Sequence, residues 1–152
     1  MALQSNGEVP APPLGRAAAW LAKHVELALA DVGLSLPQYR VLGVLSEGSA
    51  ISSAMAERLA VRPPSVSAMV DGLVGRGLME RRHNDDDRRT VSLVLTPAGR
   101  RVLAEADQAV ESRLTDLSGC LPDERLREQA FGNLRLWQQA MVAYRQRRRA
   151  AR

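Results

Sequence analysis

The residues with usable chemistry in this chain are hydroxyls and guanidiniums rather than nucleophiles. Arg62 stands just ahead of a helical stretch that opens Pro63-Pro64-Ser65-Val66-Ser67. Arg88 and Arg89 follow Asp87 in a polar run between two short alternating segments. At a helix start a hydroxyl or a backbone N–H can meet a phosphate oxygen or a base edge. At a hairpin tip an arginine can reach a groove lined by negative potential. Covalent chemistry has no comparable support. The chain shows no paired carboxylates in an apolar setting, no nucleophile beside a base and no phosphate-cradling glycine loop, so an enzyme is not expected. His24 and His83 lack the clustered spacing of a zinc site, so no metal or other cofactor is expected.

These groups need elements to hold them. From Leu14 an apolar stripe runs through Ala18, Leu21, Val25, Ala28 and Val32, and Gly33 ends it. Ser35 and Gln38 have the spacing of a capping box opening a second helix, which Gly48 closes. Ser52 or Ser53 is expected to cap a short helix from Ala54 to Leu59, with Met55, Ala56 and Leu59 inward. A turn at 60–62 leads to a helix opened by Pro63 and Pro64 and stopped near Gly77. The period then falls to two. Strands are expected over 78–82 and 90–95, joined by a charged loop, and Thr96-Pro97 starts a long helix to about Ser118. Gly119 to Pro122 breaks it, and a last helix carries Phe131, Leu134, Trp137 and Met141 into a basic end. Helix, short helix, turn, helix and hairpin make a winged helix-turn-helix. The fold class is therefore mainly α with a small β-hairpin wing, flanked by N- and C-terminal helices. A B-DNA major groove, about 12 Å wide, admits one such helix.

The residues also resemble a family. Leu36-Pro37-Gln38-Tyr39-Arg40-Val41-Leu42, Ala56-Glu57-Arg58-Leu59-Ala60-Val61, Pro64-Ser65-Val66-Ser67 through Val70-Asp71-Gly72-Leu73, and Arg76-Gly77-Leu78-Met79-Glu80-Arg81 are similar to the MarR family of bacterial transcriptional regulators. The most specific piece is Asp87-Arg88-Arg89 followed by Leu93-Val94-Leu95-Thr96-Pro97-Ala98-Gly99. The resemblance implies a homodimer reading an inverted repeat in double-stranded DNA, a repressor released by a small phenolic or aromatic effector. It implies dimerisation helices over 14–33 and 97–148 and a DNA-binding domain over 34–96, while composition makes 1–13, with Gly7, Pro10, Pro12 and Pro13, a flexible arm and 145–152 a basic tail. Trp20, Leu21, Phe131, Leu134 and Trp137 are the candidate dimer surface, with packing in their own subunit's core as the other reading. Two other readings stay open: a winged-helix adaptor for protein partners, and a regulator without a ligand.

Carried residue by residue, the resemblance makes Ser67 an exposed DNA contact, Arg89 the wing arginine and Asp87 the acid that orients it. Ser65 reads as a DNA contact or as a helix-start cap, Arg62 as a phosphate contact or a solvated arginine. Arg76 reads as DNA contact or as a cation steadying a helix C-terminus. Trp20, His24 and Tyr39 fall where the family's ligand pocket would lie, with core packing as the favoured reading. Many members carry long basic side chains directly after the positions of Ser67 and Asp71. This chain has Ala68 and Gly72, so base readout from the helix is expected to be thinner. Asp85 and Asp86 would oppose phosphate contact unless they pair with Arg81, Arg82 or Arg88. Cys120 is expected to be a small buried or half-buried residue, not an oxidant sensor.

Composition agrees with this reading and sharpens it. The chain has 152 residues, 45% hydrophobic and 25% charged, with one cysteine. That suits a folded domain in a reducing compartment, and a cytoplasmic location is expected. No apolar run approaches the roughly 18 residues of a membrane span, and no secretory leader pattern opens the sequence, so no membrane partner is expected. The formal charge is +4, but residues 145–152 hold five arginines and no acid, and the remainder is near −1. Residues 62–101 hold eight arginines and five acids. This local surplus, rather than the whole-chain charge, points to a polyanionic partner.

Overall fold

The computed structural model describes residues 13–48, 50–83 and 91–151. Six helices and a three-stranded sheet follow in the order α1 (Leu14–Asp31), α2 (Leu36–Ser46), β1 (Ala50–Ile51), α3 (Ser52–Leu59), α4 (Pro63–Gly75), β2 (Met79–His83), β3 (Val91–Leu95), α5 (Pro97–Ser118) and α6 (Glu124–Ala150). The winged helix-turn-helix expected from the sequence is present, with α1, α5 and α6 outside it. Among the described residues, no helix is long and apolar enough to cross a membrane.

Local chemistry sets most boundaries. Gly33 takes φ +68, and the Leu34 N–H reaches back to the Leu29 carbonyl at 3.0 Å, the closing bond of a Schellman end. Gly77 does the same for α4 through Leu78 N–H and the Leu73 carbonyl. Because Leu78 is spent on that bond, β2 begins at Met79, one residue later than its apolar pattern suggests. Ser35 and Gln38 form the full reciprocal capping box at α2. The Thr96 hydroxyl accepts from the Gly99 N–H at 3.0 Å and donates to the Gly77 carbonyl at 2.7 Å. One side chain thus caps α5 and ties it to the end of α4.

Two local expectations fail. Ser52 is the first residue of α3, not its cap; Ile51 occupies the N-cap position and no side chain bonds there. The cause is β1, which the sequence did not announce. Ala50 and Ile51 pair with Leu93 and Ser92 of β3, so the chain arrives at α3 already extended. The sheet order is β1-β3-β2, antiparallel throughout. Cys120 is exposed rather than buried, in the turn after α5, with its sulfur 3.9 Å from the Asp116 carbonyl.

The core gathers where these elements meet. Leu29, Val41, Leu42, Met55, Val66, Val70, Leu73, Met79 and Leu93 are fully buried. They come from α1, α2, α3, α4 and the sheet, so α4 is braced by one continuous apolar cluster. α1 packs along α5. α6 differs: among its described side chains none is fully buried, and Leu136, Trp137, Met141 and Tyr144 lie well exposed.

Candidate nucleic-acid interface

α4 buries one stripe and presents the other. Val66, Val70 and Leu73 face the core at a three- and four-residue spacing, while Arg62, Ser65, Ser67, Asp71 and Gly72 are exposed. The turn before it is tight. Ala60 adopts the left-handed region at φ 55, and Val61 N–H bonds the Ala56 carbonyl at 3.1 Å. An L-residue is strained there, by about 1–2 kcal/mol. Side chains hold this turn from behind. The Arg40 guanidinium donates to the Leu59 carbonyl at 2.8 Å, and Arg58 pairs with Glu47.

The first turn of α4 offers hydroxyls more than main-chain donors. Pro63 and Pro64 have no N–H, and the Ser65 N–H already donates to the Arg62 carbonyl at 3.0 Å. Arg62 occupies the N-cap position, and no side chain caps this end, so the capping reading of Ser65 does not hold. The Ser65 hydroxyl makes no hydrogen bond among the described residues. Ser67 makes a long bond of 3.4 Å to the Pro63 carbonyl and stays exposed. Arg62 is exposed beside them.

The wing stands behind this helix. β2 and β3 pair from Met79 opposite Leu95 to His83 opposite Val91. Arg81 on β2 reaches Asp71 on α4 at 2.5 Å, and Arg82 pairs with Glu80 at 2.6 Å. The Asp71 to Arg81 contact joins the wing to α4 across its exposed side. Both arginines therefore already have partners other than Asp85 and Asp86. Asp87, Arg88 and Arg89, with Asp85 and Asp86, lie outside the described residues. Arg76 is placed by the end of α1: its guanidinium would lie 3.7 Å from a Cβ built at Gly33. Arg76 is also the C-cap residue of α4, the helix end at which the structural reading put its charge.

The three residues assigned to a ligand pocket have different surroundings. Trp20 is 65% exposed. His24 is half-buried, and its Nδ1 is enclosed without a hydrogen-bond partner among the described residues. Tyr39 is half-buried and donates its hydroxyl to Asp107 Oδ1 of α5 at 2.5 Å. Burial, and then the bond to Asp107 and its charge, push the Tyr39 hydroxyl well above the ordinary tyrosine range. A separate apolar cavity of about 270 Å³ opens between α1, α5 and α6, walled by Leu21, Leu114, Leu117, Phe131 and Leu134. Of the expected dimer surface, Leu21 and Phe131 line this cavity in their own chain. Leu134 also lines it at 37% exposure, and Trp137 is 65% exposed. The Tyr39 to Asp107 bond and the Asp71 to Arg81 pair escaped the sequence reading, since neither is marked by a local pattern.

The MarR family model matches residues 34–91, from the capping box of α2 to the start of β3. The HTH-type transcriptional repressor Rv2887 of Mycobacterium tuberculosis is 30% identical over 105 residues, covering 66% of this chain and 76% of that protein. The chain belongs to the MarR family. Another mycobacterial relative, the uncharacterized protein Rv2011c, is 37% identical over 94 residues, but the match spans only 66% of its length and 60% of this chain. Among solved structures, the MarR-like neighbour CouR, described as a transcriptional repressor bound to a 23-mer DNA duplex, aligns with TM-score 0.69 and 29% identity over 89% of this chain and 98% of its own. CouR from Rhodococcus jostii RHA1 bound to p-coumaroyl-CoA aligns with TM-score 0.64 and 26% identity over 78% and 85%.

Proposed function

We propose that this MarR-family protein is a transcriptional repressor that binds an inverted-repeat operator as a homodimer and leaves it when a small molecule binds. The observation that carries the DNA reading is the exposed polar face of α4, with the wing tied to it through Asp71 and Arg81. Arg62, Ser65 and Ser67 contact the duplex from that face. Arg88 and Arg89 contact it from the wing, with Asp87 orienting Arg89. One short helix makes few contacts, and two-fold pairing doubles them at fixed spacing.

The exposed apolar side chains of α1 and α6 support pairing. Leu14, Trp20 and Leu27 on one helix, and Leu136, Trp137, Met141 and Tyr144 on the other, stand exposed in the single chain, where pairing would cover them. Release by a ligand is a shift between conformers whose recognition helices are differently spaced. A relative structure holding a CoA ester lends this step its support. Trp20, His24 and Tyr39 are the effector-facing residues in this reading, with Tyr39 linking α2 of the DNA-binding part to α5.

A mobility shift on the DNA upstream of the gene, together with light scattering on the free protein, tests the proposal. A folded dimer that fails to bind at low salt would overturn it and leave the adaptor reading standing.

A further inference from the structure

At the root of the wing lies a second cavity of about 390 Å³. Leu45 and Ser46 at the end of α2, Val94 and Leu95 of β3, Arg82 of β2 and Arg100 of α5 line it. Its position follows from strand alternation. Arg81 turns toward Asp71 on α4, so Arg82 and Val94 lie on the opposite face of the sheet. We propose that this cavity binds a small aliphatic carboxylate.

The lining argues for that class. Half-buried Val94 supplies the apolar wall, Leu45 closes it from the core at 4% exposure, and Leu95 contributes its carbonyl beside Arg100. No aromatic side chain lines it, so nothing there would stack on a ring. Two guanidiniums from separate elements supply the polar end. Arg82 spends Nε and Nη2 on Glu80 Oε1, and Arg100 spends Nη1 on the Leu95 carbonyl at 3.1 Å. Nη1 of Arg82, with Nε and Nη2 of Arg100, has no partner among the described residues. Each guanidinium has one partner in its own chain and, among the described residues, keeps donors to give a carboxylate. Glu80 offsets one of the two charges. One net positive charge suits a carboxylate better than a phosphate dianion. Space of this size lies within the usual range for small-ligand sites, about 300–1,000 Å³.

This site is separate from Trp20, His24 and Tyr39, and the binding claim does not depend on the DNA reading. The test is an NMR titration of the isotope-labelled full chain with hexanoate, hexanamide and inorganic phosphate. Hexanoate should give saturable shifts at the amides of Ser46, Gly48, Val94 and Leu95. Hexanamide and phosphate should each bind at least about tenfold more weakly, because each lacks one half of the match. The double variant Arg82→Gln, Arg100→Gln should lose at least about tenfold in hexanoate affinity by the same reasoning. Val94→Glu, at a half-exposed position, should abolish the shifts in a chain of unaltered circular dichroism. Shifts confined to another region, equal binding of hexanamide or phosphate, or indifference to Val94→Glu would each overturn the proposal.

Discussion

The backbone of Gly99 sits against the carbonyl of Leu78 so closely that a Cβ at Gly99 would fall 1.8 Å from the oxygen. This contact lies where the end of α4, the start of β2 and the first turn of α5 meet. The Leu78 carbonyl also accepts from the Thr96 N–H at 3.2 Å, so it cannot simply turn away.

Gly99→Ala should therefore be costly. Overpacking of a well-filled core costs about 1–3 kcal/mol, and a clash with backbone belongs at the upper end. Urea denaturation should show a loss of at least about 2 kcal/mol, the middle of that range. A loss within measurement error would mean that α5 can lift off Leu78 freely.

Gly72 presents the opposite case. A Cβ there would meet nothing within 4 Å, and the position lies on the exposed face of α4. Gly72→Ala should raise stability by about 0.5–1 kcal/mol through backbone entropy alone. Gly72→Arg should also tighten operator binding and steepen its salt dependence by about 0.9 in the log–log slope, one added phosphate contact. Unchanged affinity and slope would place Gly72 off the duplex.

Tyr39 links pH to stability. Its folded pKa is raised, so the folded state holds the phenolic proton more tightly than the unfolded chain does. The resulting stabilisation is fully present below the unfolded value of about 10 and is lost as pH climbs beyond it. Denaturation profiles should fall more steeply above about pH 10 for the native chain than for Tyr39→Phe. At neutral pH the variant should lose about 0.5–1.5 kcal/mol, one hydrogen bond. Parallel profiles would show that the bond to Asp107 does not persist in solution.

Arg89→Ala is expected to weaken operator binding by about 1–3 kcal/mol, as measured by fluorescence anisotropy at fixed salt. Affinity equal to that of the native chain would remove Arg89 from the interface.

Trp137→Glu tests pairing. Trp137 is 65% exposed in the single chain, so the change removes no core contact there. Light scattering should report monomers with the helical content of the fold retained. A persistent dimer would place the interface elsewhere.

Punctuation was the most legible part of this chain. Gly33, Gly77, the Ser35 and Gln38 box and Thr96-Pro97 mark their element ends because each acts through bonds to residues a few positions away. β1 was invisible for the reverse reason. Two residues carry no period, and Ala50-Ile51 is a strand only because β3, some forty positions later, pairs with it. Ala60 hid its left-handed turn behind a residue type that rarely makes one. Tyr39 and Asp107 are 68 positions apart, and their bond depends on how α2 lies on α5. The exposed face of α4 was legible as a helical period. That its hydroxyls, and not its first-turn amides, are the groups on offer needed the bonds of Ser65.

The two prolines that open α4 bear on how such a protein can change. A main-chain amide that grips a phosphate is the same whatever the side chain, and substitution elsewhere does not retune it. With Pro63 and Pro64 supplying none, the proposed duplex contact from this turn would rest on Arg62, Ser65 and Ser67, each open to exchange by a single substitution. The backbone fixes where the helix points, and the side chains alone decide what it prefers. A descendant could acquire a new operator there without disturbing the fold.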